Sequence, residues 1–441
     1  MGQMKAVGKK AWGYRYVILV AVWLLYVINY FDRTSVLIFL PMIRDDLGLT
    51  PAQAGFGASI FFFAYAIAQI SGGWLADRIG AKKVMGIAIV VFSAVTFLTG
   101  LVRSYTQFIW IRLFLGLGEG HHFAPAHKAI ADWFPKKEKG TATAFFSTAW
   151  AFGPAIIPMI ITALAAAFGS WRPVFYVLAV PGIFGMFILW YFVSNKPEEM
   201  LKKGRMTQEE YDYIKDGLVA AETEVVEKKK GGMSIVAKDK NFWIYSIVLF
   251  CNLAIYWGST TWISSFLLDQ HHFNLKTMGA LVSLPYIVAI IAMLLGGRLT
   301  DKVFNNKTKP VLLISYIISI PVLFYIGMVP TGNVPIIITM LILLGFFVNL
   351  SFGAVYAYPQ IRYPKEIVGS AVGLSNGFGQ LGSFIAPLIA GFLVVKTASG
   401  YSYTGAFIFF AALAVVASIG TLFLKEDKFI IEINKSTSAS L

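Results

Sequence analysis

The sequence predicts an all-α membrane protein with twelve transmembrane helices, arranged as two pseudo-symmetric bundles of six helices. The 441-residue chain is 57% hydrophobic and 14% charged, whereas soluble domains contain about 25% charged residues. Apolar runs of about 20 residues, the length that crosses a bilayer, recur along the chain. A charged segment divides these runs into two equal sets, and motifs of the first set repeat in the second.

Each apolar run is predicted to be one membrane-spanning helix. Within a bilayer a helix satisfies its own backbone hydrogen bonds, and these runs are too long and unbroken for the alternating strands of a β-barrel. The twelve predicted spans cover about 16–40, 54–75, 84–102, 106–127, 141–168, 172–193, 242–267, 277–297, 310–329, 334–358, 367–394 and 403–424.

The charged segment at 195–240 is predicted to be a cytoplasmic linker. It is rich in Lys and Glu, and the stretch from Thr207 to Glu210 has the form of a capping box that begins a short helix. A solvated connection between two bundles is favoured over a regulatory or partner-binding segment. The predicted organisation is a first bundle at 1–194, this linker, a second bundle at 241–425 and a cytoplasmic tail at 426–441.

Three motifs of the first half recur in the second half, in the same order and at a nearly constant offset. This agreement indicates a duplicated six-helix unit. Such repeats are typical of secondary transporters, whose substrate site lies near the midplane between the repeats. The matched segments are Gly73–Arg78 with Gly297–Lys302, Phe134–Ala142 with Tyr363–Ala371, and Asn29–Ser35 with Ile255–Thr261.

Basic residues are concentrated in alternate loops, which indicates membrane orientation rather than nucleic-acid binding, despite the net charge of +14. By the positive-inside rule both termini are expected in the cytoplasm, with the basic loops near anionic lipid. A multi-pass protein of the cell inner membrane, without a cleaved signal peptide, is predicted. The basic groups include Lys5, Lys9, Lys10 and Arg15 before the first span and Arg78, Lys82 and Lys83 after the second.

Cysteine and histidine usage argues against metal and redox chemistry. Cys251 is the only cysteine, which excludes an intramolecular disulfide. No spacing of His, Cys and Glu is typical of a metal site, so neither a metal nor another cofactor is predicted. An enzyme is disfavoured because the sequence contains no catalytic loop motif, and a receptor is disfavoured because it contains no large soluble domain.

Four charged residues occur where the bilayer disfavours charge: Asp32 and Arg33 in the first span, Arg112 and Glu119 in the fourth. Charge at membrane depth usually lines a cavity, pairs with another charge or lies on a substrate or proton path. At about 1.5 Å per residue, Asp32 and Arg112 lie at matching depths, which predicts an ion pair between them. Glu119 lies on the same helix face as Arg112, about 10 Å deeper. The spacing shows no charge partner for Arg33 or Glu119.

The chemistry of these side chains suggests different tasks. A carboxylate in a poorly hydrated cavity changes protonation with its surroundings, so Asp32 and Glu119 are candidate proton carriers. Arginine stays protonated and binds carboxylates through paired hydrogen bonds, so Arg33 is the candidate anion site and Arg112 a modulator of Asp32. His122 shares the helix face of Glu119 and is a candidate proton relay. The alternative is a structural polar network.

Several stretches resemble a known transporter family. The segment Gly73–Lys82 is similar to the loop signature of the major facilitator superfamily. Within that superfamily, Asn29–Arg33, Arg112–Glu119 and Ala131–Thr143 resemble the anion:cation symporter family. That family includes bacterial sugar-acid carriers and animal organic-anion and phosphate carriers. The resemblance implies the same tasks for the four buried charges.

The resemblance also implies which other polar side chains line the cavity. It favours Tyr30, Tyr65 and Asn376, with Ser375 and Gln380 beside Asn376 on the eleventh span. Hydrogen bonding between helices is the alternative role for each of these five residues.

Trp150 is also a candidate for contact with the substrate. Some sugar-acid carriers of the family have a hydrogen-bonding Gln at this position, so Trp150 favours a flatter or less polar acid. The family further implies that Gly73, Asp77 and Arg78 form a latch that locks the outward-open state. A basic loop that only sets topology is the other interpretation of these three residues.

The predicted function is proton-coupled symport of a small organic carboxylate into the cell by alternating access, with the protein acting as a monomer. An anion exchanger is one alternative, although Gly258 and Ser259 occupy the place where such carriers have a second basic residue. A sodium-coupled organic-anion carrier is the other alternative. Sugar acids, aromatic acids and small dicarboxylates all remain open as substrates.

Overall fold

A computed structural model of the protein describes residues 13–222, 232–364, 366–398, 400–427 and 429. Lys5, Lys9 and Lys10, part of the predicted linker and most of the predicted tail lie outside the described residues. The described chain is almost entirely α-helical, which confirms the predicted fold class.

The first half contains eight helices, because a short helix follows the first predicted span and the fifth predicted span, 141–168, is divided between two helices. Thr50 forms a complete capping box with Gln53 at the start of the second long helix. These helices are α1 (Tyr14–Ile38), α2 (Leu40–Asp46), α3 (Pro51–Ile79), α4 (Ala81–Thr99), α5 (Tyr105–Trp133), α6 (Lys136–Ser147), α7 (Ala149–Phe168) and α8 (Arg172–Phe192).

The linker region contains three short helices, α9 (Pro197–Lys202), α10 (Gln208–Glu222) and α11 (Gly232–Lys238). The Thr207 hydroxyl accepts a hydrogen bond from the Glu210 backbone N–H, as the capping motif predicts. The Glu210 side chain is used elsewhere, because its carboxylate pairs with the Arg15 guanidinium at 3.1 Å. Helix α10 is therefore docked on the first half, whereas α11 packs against α12 and α16 of the second.

The second half contains six long helices and one short hairpin that the sequence did not predict. Strand β1 (Val395–Thr397) pairs antiparallel with β2 (Gly400–Ser402). Two helices continue into π-helical turns, at Phe266–Gln270 and Leu299–Val303. The helices are α12 (Lys240–Ser265), α13 (Leu275–Arg298), α14 (Lys309–Ile326), α15 (Val334–Arg362), α16 (Val368–Leu393) and α17 (Thr404–Phe423).

Ten helical segments of the described chain are long and apolar enough to cross a membrane. The fourth and eleventh predicted spans correspond to α5 and α16, which are long helices outside those ten. These two helices carry many of the polar candidate residues, which lowers their mean hydropathy. The protein is thus a multi-pass membrane protein.

Each half is held together by an ion pair of its own at the face where α1 and α12 begin, here called the terminal face. Arg15, in the first turn of α1, pairs with Glu138 at 3.0 Å. Asp239, the N-cap of α12, pairs with Arg362 at 3.0 Å. The two pairs lie in the same region of each half with reversed signs, although the paired residues are not at matched positions of the repeat.

The halves contact each other mainly near the other side of the bundle, here called the opposite face. Helix α3 packs along α16, and α7 packs along α13. The Trp262 indole N–H donates to the Pro387 carbonyl at 3.0 Å, beside the close approach of Gly55 to Gly391. Among the described residues, the one ion pair between the halves joins Arg44 and Asp269 at 2.6 Å, also at this face.

Close packing of α13 against α15 generates a stability prediction. A methyl group added at Gly296 would collide with the Leu350 backbone carbonyl, whereas one added at the adjacent Gly297 meets nothing within 4 Å. We expect Gly296→Ala to destabilise the protein by about 1–3 kcal/mol, the usual cost of overpacking. Thermal unfolding in detergent measures this difference. Gly297→Ala is the matched control, and equal melting temperatures for the two variants would contradict the packing described.

Candidate functional site

The four buried charges lie in the first half, and one pair of them forms an ion pair. The Arg33 Nε donates to the Glu119 Oε2 at 2.9 Å, which joins α1 to α5. Both side chains are almost completely buried. The expectation that neither residue has a charge partner is therefore wrong, because each is the partner of the other.

Aromatic rings surround the Arg33 guanidinium. Its central carbon lies 4.3 Å from the Tyr65 ring centroid, 4.7 Å from Tyr30, 5.0 Å from Phe61 and 5.7 Å from Trp257. Ring faces attract cations, most strongly where water is excluded. These four rings are here called the Arg33 cage. Trp257 belongs to α12, so the second half completes the cage.

Arg33 retains unused donors despite this burial. Its Nε is bound to Glu119, and its Nη2 lies 3.5 Å from the Asn29 side-chain oxygen. The Nη1 group makes no hydrogen bond within the part of the chain that the structure describes. Glu119 is also only half used, because its Oε1 is buried without a partner. The ion pair can therefore accept a further anion on the arginine and a proton on the carboxylate.

The predicted ion pair between Asp32 and Arg112 is not formed. Arg112 instead donates to the backbone carbonyls of Gly57 at 3.1 Å and Ala58 at 3.3 Å in α3. The Asp32 Oδ1 is buried without a partner. The depth estimate was insufficient because it ignores rotation about the helix axis. Adjacent residues point about 100° apart on a helix with 3.6 residues per turn, so Asp32 and Arg33 face different neighbours.

Arg112 therefore joins α5 to α3 through its hydrogen bonds to the α3 backbone. Its guanidinium also lies 4.6 Å from the centroid of the Phe61 ring, which is the same ring that contacts Arg33 from another side. A second cation thus borders the Arg33 cage and supports it. The structural interpretation fits this residue, with α3 rather than α1 as its partner.

The two adjacent histidines have different surroundings. His121 is satisfied, with Nδ1 2.7 Å from the Leu117 carbonyl and Nε2 2.9 Å from the Ser71 hydroxyl. His122 is completely buried, and neither ring nitrogen has a hydrogen-bond partner among the residues that the structure describes. Its ring stacks on the Tyr26 ring, with the centroids 5.9 Å apart and the ring planes at 6°. Tyr26 in turn contacts Tyr30 of the Arg33 cage. His122 is therefore the histidine that reaches the site.

Trp150 lies where the two halves meet. Its ring is 5.5 Å from Tyr256 and 4.9 Å from Phe352, both in the second half. Asn376 and Gln380 of α16 are half-buried and make no hydrogen bond with another described residue, so both amides are available. Ser375 differs, because it is buried and its hydroxyl donates to the Val372 carbonyl of its own helix.

The predicted latch lies at the terminal face and contacts only its own half among the described residues. Asp77 pairs with Lys128 at 3.0 Å, and the Arg78 guanidinium lies 4.1 Å from the Trp74 ring centroid. Gly73 faces Ala124 of α5. No group of three or more metal-ligating side chains is found in the described residues.

Comparison with known proteins agrees with this architecture. Residues 22–387 match the family model of the Major Facilitator Superfamily, and a second match covers 309–439. The chain belongs to this superfamily. It is 29% identical to a probable sulfoacetate transporter of Cupriavidus necator, over 93% of this chain and 94% of that protein.

Other members of the superfamily are similar along almost the whole chain. A probable galactarate/D-glucarate transporter of Escherichia coli K12 is 29% identical, over 97% of this chain and 98% of that protein. A hexuronate transporter of Bacillus subtilis is 29% identical, over 90% and 91%. These similarities support the resemblance to sugar-acid and organic-anion transporters.

Solved structures of superfamily members share the fold. A bacterial homolog of the human lysosomal transporter Spinster, in an inward-facing and occupied conformation, superposes with a TM-score of 0.77. It is 18% identical and covers 96% of this chain and 100% of that one. A D-xylose–proton symporter gives a TM-score of 0.72 at 14% identity, over 94% and 100%.

Sequence reasoning missed the residues that complete the cage. Phe61, Trp257 and Asn29 carry no charge, and although Asn29 and Trp257 lie in motif segments, neither was singled out as a site residue. A signal existed for Trp257, since its segment matches the segment of Arg33 in the repeat. Helix α1 packs against α12, and Trp257 thereby reaches Arg33 of the matching segment.

The observed pairing generates a test by double-mutant cycles. We expect Arg33→Met and Glu119→Gln to be coupled by about 1–3 kcal/mol, as residues in one buried network usually are. Asp32→Asn and Arg112→Met should be nearly additive, within about 0.5 kcal/mol, because they are not in contact. Unfolding free energies of the single and double variants in detergent provide both values. A larger coupling for Asp32 with Arg112 would contradict the arrangement seen here.

Proposed function

We propose that this protein is a symporter that carries a small organic anion together with protons across the cell inner membrane. One observation carries the proposal. Arg33 is buried, keeps unused donors and shares its charge with a carboxylate, Glu119, that can be neutralised. The relatives named as transporters of sulfoacetate, galactarate and hexuronate support an anionic substrate. A monomer with both termini in the cytoplasm completes the proposal.

Coupling follows from competition for Arg33. In the structure, Glu119 occupies the Nε edge of the guanidinium. An incoming carboxylate would bind the free Nη groups, which places two anions on one cation. Protonation of Glu119 removes that repulsion and releases the arginine for bidentate binding of the substrate. Substrate and proton therefore bind together and leave together.

A second proton site is proposed at Asp32. Its Oδ1 is buried with no hydrogen bond, a costly position for a charged oxygen, and therefore one in which the carboxyl group is readily neutralised. His122 and Tyr26 connect the interior of α5 to the cage through ring contacts and are proposed as part of the proton route. Two protons per monovalent anion would make the transported complex cationic.

The membrane potential explains why this stoichiometry matters. Moving one charge against the potential costs about 2.3 kcal/mol per 100 mV. An anion entering alone is opposed by a potential that is negative inside, whereas a complex with excess protons is driven inward. The proposed direction is therefore uptake.

Alternating access is proposed to operate between the state seen here and one open at the opposite face. In this structure Arg44 makes a two-point contact with Asp269, since Nη1 lies 2.6 Å from Oδ2 and Nη2 lies 3.2 Å from Oδ1. The hydroxyl of Tyr403 also donates to Asp269, and the Tyr401 ring lies 4.3 Å from the Arg44 guanidinium carbon. This contact closes the opposite face, and in the proposed cycle the state described is the one closed toward the outside of the cell.

The latch residues fit the same cycle. Asp77 and Arg78 contact only their own half in this state. Rotation of the halves that opens the opposite face would bring the terminal ends together, where this loop can engage the second half. The proposal thus assigns Arg44 with Asp269 and Asp77 with Arg78 to opposite ends of one movement.

The alternatives receive less support. The equivalent of Arg33 in the second half is Ser259, whose hydroxyl donates to Ile255 within its own helix. An exchanger that holds a phosphate ester between two basic residues would lack its second cation at this position. Sodium coupling is distinguished by experiment, because carboxylates also bind Na⁺.

Glu119→Gln tests the coupling. The neutral amide mimics protonated Glu119, so substrate exchange across the membrane should continue while accumulation driven by a pH gradient falls at least tenfold. Uptake and counterflow in proteoliposomes measure the two activities. The exposed Glu209→Gln is the control and should behave as wild type. Gradient-driven accumulation by the Gln variant, or accumulation driven by a Na⁺ gradient alone, would contradict proton coupling through Glu119.

Asp269→Asn tests the closure of the opposite face. Loss of a charge-assisted hydrogen bond costs about 1.5–3 kcal/mol, so the state open at that face should gain population by tenfold or more. Spin labels at Arg103 and Lys396, in a Cys251→Ser background, report the separation of the halves. Asp46→Asn is the control, since Asp46 pairs with Arg172 at the same face but within one half. An unchanged distance distribution in Asp269→Asn would contradict the gating role.

A further inference from the structure

A buried histidine directly follows the turn that carries Asp269 at the opposite face. His271 is 5% exposed, and neither of its ring nitrogens has a hydrogen-bond partner among the described residues. A neutral imidazole has one donor and one acceptor nitrogen, and a buried polar atom without a partner is costly. The proton route proposed above does not use this residue, so its burial calls for a separate explanation.

Two phenylalanine rings pack against the His271 side chain. The Phe266 ring meets it edge to face, with the centroids 4.6 Å apart, and the Phe273 ring lies at 25° to it, with the centroids 6.2 Å apart. The Phe273 backbone N–H donates to the Leu267 carbonyl at 3.1 Å, which folds the chain back onto the turn. These surroundings suit a neutral imidazole and withhold the water that an imidazolium requires.

The same turn holds the contact that closes the opposite face. Asp269 lies within the π-helical turn Phe266–Gln270 and binds the Arg44 guanidinium through both carboxylate oxygens. The side-chain amide of Gln270 fixes the end of the turn, because both its nitrogen and its oxygen are hydrogen-bonded. The position of the Asp269 carboxylate therefore depends on how this turn packs, and the His271 ring is part of that packing.

The charged groups near the turn do not favour a proton on His271. Strand β2 and helices α12 and α13 pack against the turn. The titratable or charged side chains that the turn and its neighbours bring to this region are Asp269, His272, Lys276, Tyr401, Tyr403 and Arg44. The Asp269 charge is already paired with Arg44. His272 is exposed, and its charge disfavours a proton on His271.

Burial, with a smaller contribution from His272, lowers the pKa of His271 to about 4, whereas a solvated imidazole has a pKa of about 6.5. Above pH 6.5 the ring is neutral whether it is buried or solvated, so the buried arrangement carries no protonation penalty. As the pH falls below 6.5, a solvated ring gains a proton that the buried ring does not, which favours arrangements that expose it. At pH 5 these two pKa values correspond to a shift of about 30-fold toward the exposed ring.

We infer that His271 is a positioning residue for Asp269 that makes closure of the opposite face sensitive to the proton concentration outside the cell. Protonation expels the ring from its place against Phe266 and Phe273, which loosens the turn and releases Asp269 from Arg44. External acid then favours the state open to the outside, in which an anion and protons bind. This inference rests on the proposed function and its transport cycle, and it adds a control of access that lies outside the Arg33 cage.

Distances between spin labels at pH 7.5 and pH 5 test the inference. Labels at Arg103 and Val334, in a Cys251→Ser background of the full-length protein, lie in different halves at the opposite face and outside the turn. The population open at this face should rise by about fivefold or more at pH 5. His271→Phe keeps a ring of similar size that cannot be protonated, so its open population should change by less than about twofold.

The adjacent histidine supplies the matched control. His272 is exposed and has a positive φ of 55°, a conformation that asparagine tolerates, so His272→Asn should respond to acid as wild type does. His271→Leu repeats the test where the phenylalanine variant does not fold. The inference is overturned if the His271 variants open at pH 5 as wild type does, if His272→Asn removes the response, or if the wild-type protein does not open at pH 5.

Glu119→Gln separates this inference from the proposed function. The part of the acid response that depends on His271 should persist in this variant, since the two residues belong to different halves. An acid response that Glu119→Gln abolishes and His271→Phe leaves unchanged would overturn the inference while proton coupling through Glu119 stands. Uptake that is indifferent to a pH gradient, with the acid response through His271 intact, would instead be a failure of the proposed function alone.

Discussion

Burial of the Arg33 guanidinium is the constraint on which the rest of the site depends. A cation removed from water requires an anion and close polarisable neighbours. Glu119 supplies the anion at 2.9 Å, and four rings supply the neighbours. Because the cation is permanent, the proposed transport cycle keeps an anion beside it throughout. In that cycle Glu119 fills the role when no substrate is bound, and the substrate fills it when Glu119 is neutral.

The two halves share a scaffold and divide the chemistry. Both begin with an ion pair at the terminal face, formed by Arg15 with Glu138 and by Asp239 with Arg362. The four charges within the predicted spans, Asp32, Arg33, Arg112 and Glu119, all lie in the first half, and Trp257 contacts Arg33 from the second. Trp257 links the two halves, because it lies in the second half and completes the cage around Arg33 of the first. The proposed recognition of an anion at Arg33 therefore involves both halves.

The sequence predicted the helices well because hydropathy directly reports membrane burial, and it identified Arg33 and Glu119 because charge is rare at that depth. It failed for the pairing of these charges. Depth along a helix follows from counting residues, but rotation depends on contacts that counting does not contain. Hence Arg112 was assigned to Asp32, although it binds carbonyl oxygens of α3. The β1–β2 hairpin and the π-helical turn that carries Asp269 likewise leave no periodic signal.

The central claim is that an anion and a proton occupy the two sides of one ion pair, and proton uptake on ligand binding tests it most directly. Purified protein in weakly buffered solution is mixed with a carboxylate that binds, and the change in pH is recorded. The account predicts that close to one proton or more is taken up per anion bound near neutral pH, and that uptake falls in Glu119→Gln while binding persists. Saturating anion binding with no proton uptake by the wild-type protein would contradict it.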